Sequence, residues 1–285
     1  MIGAAKTGTR VAGGKRLPVN LILGGILAGL AALAALTSLV WTPYDHAAIA
    51  VTQKFAAPSA EHWLGTDQLG RDLASLLMVG AGNSLAVAVT AVLLGGGLGT
   101  LLGLAASALG GWVEDLAMRV CDLSFAFPAL LFAIMLAAAF GPSLSNAALA
   151  IAFINIPIFA RVARGAANQV WVRDFVLAGR AAGRSRLALT IDHVAPNVAA
   201  PIIVQATIEF AVAILAEAAL SYLGLGAQPP APSWGRMLAE AQTLLWIEPM
   251  LAVWPGLCIV ATVLSFGLLG DGLRDLADPR LTRER

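Results

Sequence analysis

Six mostly apolar stretches run along this chain, at 19–41, 83–109, 116–140, 144–160, 198–220 and 250–269. Each is long enough to cross the hydrocarbon core of a bilayer as a helix. The core offers no water to backbone N–H and C=O groups, so such stretches must satisfy them within helices. Only 12% of the residues are charged and 59% are hydrophobic, whereas a soluble domain carries about 25% charge. That leaves too little polar surface to coat a soluble globule, and the hydrophobic content excludes a disordered chain. The expected fold class is all-α, a polytopic membrane protein with six transmembrane helices. The first stretch is too long for a signal peptide and lacks a small-residue cleavage site, which points to a retained helix.

Charge sets the orientation, because Lys and Arg accumulate on the cytoplasmic side. Lys6, Arg10, Lys15 and Arg16 precede the first stretch, Arg119 follows the second, and Arg161, Arg164, Arg173, Arg180, Arg184 and Arg186 follow the fourth. Arg274, Arg280, Arg283 and Arg285 close the chain, leaving only Lys54, Arg71 and Arg236 for the other side. Both termini are therefore expected in the cytoplasm. The segments 42–81 and 224–249 are expected outside, with a short turn at 141–143. The net charge of +1 provides no field for nucleic acid. Gly95, Gly96, Gly97, Gly99 and Gly103 lie within an apolar stretch, where small residues let helices approach closely. No GxxxxGK[ST] motif occurs, so any ATP used must be hydrolysed by another chain.

The interruption at 161–197 is patterned. At 100° per residue, Phe175, Ala178, Gly179 and Ala182 share one arc, with Arg173 and Arg180 opposite. Gly183 permits a turn, a second short helix is predicted from Arg186 to Ile191, and Pro196 suits the first turn of the fifth span. A short helix–turn–helix of this kind suits a plug for a cytoplasmic partner, or an amphipathic helix on lipid headgroups. The spacing Ala178-Gly179-x3-Gly183 with Pro196 resembles the EAA loop of ABC importer permeases, with Leu177, Gly179 and Ala195 replacing that family's Glu, Ala and Leu. HVAPN at 193–197 is similar to its HxxPN ending. Two further segments resemble the dipeptide, oligopeptide and nickel subfamily: HWLGTDQLGRD at 62–72, and EAALSYLGLGAQPPAPSWGRML at 217–238.

The long segment before the second span and the count of six spans are similar to the C-type permease subunit. The resemblance implies an ABC importer type I-like transmembrane domain, in a bacterial cytoplasmic membrane. It implies a homologous B-type permease, two ABC ATPase subunits and a periplasmic or lipoprotein substrate-binding protein as partners. It implies import of di- or oligopeptides, or alternatively of nickel, another small chelate or a peptide-like solute. On this reading residues 1–80 hold the tail, first helix and external loop, and 81–285 hold the core with its coupling loop at 173–197. Phe175, Ala178, Gly179, Ala182, Gly183 and Pro196 are then the ATPase-coupling residues.

The remaining polar residues carry no covalent chemistry. His46, His62 and His193 fall on opposite membrane faces, so they build no joint metal site, and no cofactor is expected. Cys121 and Cys258 read as small buried hydrophobes. An intramembrane enzyme would need a nucleophile and base at matching depth, and no GxSxG or HExxH is present. A secondary transporter would show internal repeats and paired midplane charges, and neither is evident. Arg161 and Arg164 read as cytoplasmic anchors. Asn155-Ile156-Pro157 suggests a kink, with Asn155 capping or bonding across helices. Glu209 falls about 18 Å into the fifth span, where facing lipid is costly. With Gln205 a turn below and Glu217 two turns above, it forms a polar stripe, expected either to line the translocation pathway or to be buried against a neighbour.

Overall fold

The computed structural model describes residues 18–277, and among them every regular element is helical. Ten α-helices follow in order: α1 (Val19–Ser38), α2 (Leu73–Leu109), α3 (Gly111–Ala126), α4 (Ala129–Phe140), α5 (Leu144–Trp171), α6 (Asp174–Ala181), α7 (Arg186–Leu189), α8 (Ala195–Tyr222), α9 (Trp234–Ala241) and α10 (Met250–Ala277). Five helical stretches are long and apolar enough to cross a membrane, and the count reaches six where the bent pair α3–α4 is one span. Lys6, Arg10, Lys15, Arg16, Arg280, Arg283 and Arg285, counted above toward orientation, lie outside the described residues.

The centre of the bundle is α2 against α5. Gly95, Gly99 and Gly103 recur every fourth residue along α2 and meet α5 at contact distance. A Cβ at Gly95 would stand 2.5 Å from Asn155 Cβ, and one at Gly103 would stand 2.9 Å from Ala163 Cβ. Bulk at these positions would push the helices apart. Phe159 packs beside Gly96 and is almost wholly buried. By contrast α1 is peripheral: Gly24 is its one buried residue. It runs antiparallel to α10, with Gly24 against Ser265 and Leu268, and Gly272 against Leu21.

Three boundaries differ from the apolar pattern. Helix α2 starts at Leu73, ten residues before the predicted span, because Asp72 caps it by accepting the N–H of Ser75 at 2.8 Å. Leu73, Leu76 and Leu77 are buried by protein there, and the division at 80/81 falls inside this helix. The predicted third span, 116–140, is two helices meeting at 80°. Pro128 has no N–H to donate and holds Phe127 extended, at φ −91° and ψ 118°. In contrast α5 continues through Pro157 to Trp171. Asn155 is buried on α5 and its Nδ2 has no hydrogen-bond partner, so the predicted bond across helices is absent.

Candidate functional site

At one end of the bundle α6 and α7 form a hairpin. Val176 is fully buried and joins Val170, Leu189, Val194 and Val198 in a small apolar core beside Ala163 and Ala167. Gly179 lies on the same inner side, where a Cβ would stand 2.8 Å from Leu189 Cδ2. The reversal follows from Gly183 at φ +80°, which a residue with a Cβ adopts only under strain. The N–H of Gly183 donates to Arg180 O at 3.1 Å, and that of Arg184 to Gly179 O at 3.2 Å. Ser185 Oγ then caps α7 by accepting from Ala188 N at 3.3 Å. Arg186 Nη1 donates to the carbonyls of Ala108 and Leu109, both at 2.8 Å. The hairpin is thereby tied to the C-terminus of α2, where a cation complements the helix dipole.

The face drawn from the helical wheel is rotated by this anchoring. Phe175, Ala178 and Ala182 are exposed, as is Gly183 at the turn. Gly179 turns inward, and Leu177 and Ala181 take its place on the outer surface. The second helix is also not separate. Arg186 to Tyr222 is one continuous helical run with a π turn over Thr190–Val194. Pro196 has no N–H for the carbonyl four residues before it. The wider turn lets Ala195 N–H reach Thr190 O instead, and Pro196 sits in the first turn of α8.

The polar stripe on α8 is packed into the chain's own bundle. Glu209 is 5% exposed, and its Oε1 accepts from Gln205 Nε2 at 2.8 Å. Glu217, the upper member of the stripe, is fully buried. Its Oε1 accepts from Ser221 Oγ at 2.6 Å, and Ser221 Oγ accepts the N–H of Ala227 at 3.1 Å. Glu217 Oε2 has no partner. The segment after α8 folds back over this site, with Gly226 against Ser221 and Gly235 against Ala218.

That returning segment forms a cap with the segment before α2, at the end opposite the hairpin. Its three prolines precede Ser233, which caps α9 by accepting from Arg236 N at 3.2 Å. Trp234 donates from Nε1 to Leu77 O at 3.1 Å, and Asn83 Nδ2 donates to Pro232 O at 2.6 Å. In the preceding segment, Asp67 Oδ1 accepts from the N–H groups of Leu69 and Arg71, and Asp67 Oδ2 accepts from Arg71 Nε at 2.6 Å. Arg71 Nη2 reaches Glu240 Oε2 at 2.8 Å, and Arg236 Nε reaches Glu240 Oε1 at 2.9 Å. Burial of Arg71 works against its charge, but the carboxylates of Asp67 and Glu240 outweigh it and raise its pKa. His62 is buried, with Nδ1 at 3.0 Å from Asp72 Oδ1 and Tyr44 tilted over its ring. Among the described residues no group of three or more His, Cys, Asp or Glu could hold a metal ion.

The model of the family described as binding-protein-dependent transport system inner membrane component matches residues 95–283. This chain belongs to that family. It is a permease subunit of an ABC importer. It is 42% identical to the dipeptide transport system permease protein DppC of Alkalihalophilus pseudofirmus, over 91% of this chain and 86% of that one. It is 46% identical to the glutathione transport system permease protein GsiD of Escherichia coli, over 79% of this chain and 74% of that one. The fold is similar to a chain of the MetNI methionine ABC transporter in inward-facing conformations. The TM-score is 0.60 at 15% identity, covering 71% of this chain and 97% of that one.

Within this permease, sequence reasoning missed the residues whose partners are remote. Arg164 and Asn168 on α5 both bond Glu114 on α3, and Arg161 pairs with Asp122 while lying 4.4 Å from the Phe125 ring centroid. These two arginines, read as anchors, hold α3 onto α5. Val176 was missed as the hairpin's anchor, and its signal in the sequence is an apolar residue flanking the small-residue arc beside Gly179. His62, given no partner by the sequence, has Asp72 as a partner ten residues away.

Proposed function

We propose that this permease forms half of a translocation pathway for di- or oligopeptides, paired with a homologous B-type permease and driven by two ABC ATPase subunits. The exposed apolar surface of α6 carries this reading. Leu177, Ala178, Ala181 and Ala182 face away from the chain, and Phe175 is exposed with its ring edge-on to His193 at 6.0 Å, while Val176 and Gly179 fix the helix from beneath. A rigidly mounted, exposed apolar face suits insertion into a groove of an ATPase subunit. The ties from Arg186 to the end of α2 would carry the resulting motion into the bundle. The chain itself is read as non-catalytic, with both termini cytoplasmic and a binding protein delivering solute to the cap. The core is read as starting with α2, and residues before it as the tail, first helix and part of the cap.

Peptide substrates are supported by the relatives, one named for dipeptides and one for glutathione, itself a small peptide. Replacing Ala178, an exposed residue, by Arg disturbs no contact within this chain. Co-purification of the ATPase with A178R should fall sharply while membrane insertion stays unchanged. Wild-type ATPase recovery and transport in A178R would sink the coupling reading. Uptake of labelled dipeptide against labelled nickel in cells carrying the complete transporter separates the two solute classes.

A further inference from the structure

We propose that the apolar ledge made by Leu39, Val40, Trp41, Leu245, Trp246 and Ile247 seats in the membrane–water interface of the leaflet on the cap side. Trp41 and Trp246 then lie at headgroup level. The inference rests on α1 and α10 spanning the membrane, not on the coupling or pathway readings.

Two measures place Trp41 just outside the hydrocarbon layer and level with the start of α10, close in the chain to Trp246. Helix α1 has 20 residues, so at about 1.5 Å per residue it spans about 30 Å, the thickness of a hydrocarbon core. Trp41 follows its last residue by three positions and falls just outside that layer. The second measure is the packing of α1 on α10. The contacts of Gly24 with Ser265 and Leu268, and of Gly272 with Leu21, fix an antiparallel register. Carried along the pair, that register sets Trp41 level with the first turn of α10, which starts at Met250. Trp246 precedes Met250 by four residues, in a turn where Leu244 O accepts the N–H groups of Ile247 and Glu248 at 2.9 and 2.8 Å.

This turn directs Trp246 away from the chain, leaving it 99% exposed. Val40 is 91% exposed. The only charged side chain in 242–249 is the half-buried Glu248, and 39–41 contains none. The ledge is continuous with exposed Leu36 and Leu33 on α1, and with exposed Met250 and Val253 on α10. Those surfaces belong to spans that contact lipid, so the bilayer is the occupant that extends an interface already present. Tryptophan suits this layer, since its ring is apolar while its N–H still finds headgroup or water oxygens.

The test uses the assembled transporter in phosphatidylcholine nanodiscs. Cys121 and Cys258 are replaced by Ala, Trp246→Cys carries an environment-sensitive NBD label, and Ala60→Cys on the cap serves as the water-exposed reference. A nitroxide on the choline headgroup should quench the label at 246 several-fold more than a nitroxide at acyl carbon 12, and more than aqueous iodide. The label at 60 should be quenched by iodide more than by either nitroxide. Full iodide quenching at 246 with no effect of either nitroxide would overturn the proposal. Shielding at 246 that arises only on adding the binding protein would overturn it in favour of a protein-docking surface. If W246C fails to assemble, a label at Trp41→Cys, on the other half of the ledge, should show the same quenching order, and full iodide quenching there would overturn the proposal equally.

Discussion

Arg71 and Glu240, 169 positions apart, meet at 2.8 Å and join the segment before α2 to α9. Each has a second partner within its own segment, Asp67 for Arg71 and Arg236 for Glu240. The two stretches that resemble the peptide-importer subfamily are therefore one structural unit, not two independent surface features. This cap is held by ion pairs over its outer part and by Trp234 and Asn83 where it meets α2.

Removing Arg71 should weaken the cap more than neutralising Glu240. The side chain of Asp67 is 4% exposed and would be left without its cation. Breaking a buried pair costs about 3–5 kcal/mol, and R71A should fall near the lower figure because Asp67 keeps two backbone N–H donors. E240Q keeps one arginine on its amide oxygen but turns an NH2 toward the other, and should lose about 1–2 kcal/mol. The apparent melting temperature of the purified transporter in one detergent checks the order, and an equal shift in both variants would contradict it.

The two glycines of the hairpin should fail differently. G179V places bulk against Leu189 and should cost about 1–3 kcal/mol through overpacking. G183W meets open space but imposes a left-handed backbone on a residue with a Cβ, costing about 1–2 kcal/mol. Coupling should be lost in both. Relocating the glycine in a G183A/R184G double variant should not restore it, because the positive φ belongs to position 183. ATPase activity stimulated by loaded binding protein is the readout, and wild-type stimulation in G183W would count against the hairpin's role.

Glu217 and Glu209 should separate by stability. E217A leaves Ser221 without its acceptor in a fully buried site and should cost about 1–3 kcal/mol, seen as lower complex yield. E209Q can keep the bond to Gln205 through its amide oxygen and should assemble normally. Transport per assembled complex then reports whether the charge at 209 matters to solute movement. Normal yield in E217A would show that its buried bonds do not hold the cap.

Cysteine labelling checks the orientation. In a background lacking Cys121 and Cys258, cysteines at Ala60 and Thr243 should react with an impermeant thiol reagent added outside cells, and one at Ser185 should not. All three positions are exposed. Ser233, although in the same outer segment as Thr243, is fully buried as the cap of α9 and would stay unreactive on either side. Labelling at Ser185 alone would reverse the topology.

Sequence by itself determined the membrane class, the apolar runs able to span and the location of the hairpin. Those properties depend on apolar run length and local spacing, which need no knowledge of neighbours. The family resemblance was legible for the same reason, since its motifs are short and contiguous. Tertiary structure alone decided which face of α6 is free, because burial of Val176 against Leu189 outweighs the arc of small residues drawn on an isolated helix. It also decided that Glu217 is enclosed, that Arg161 and Arg164 bind α3, and that Arg71 finds Glu240. Each of these depends on what a segment remote in the chain brings into contact, and the ion pairs depend on a separation of about 3 Å, at which a hydrogen bond forms and one further ångström abolishes it.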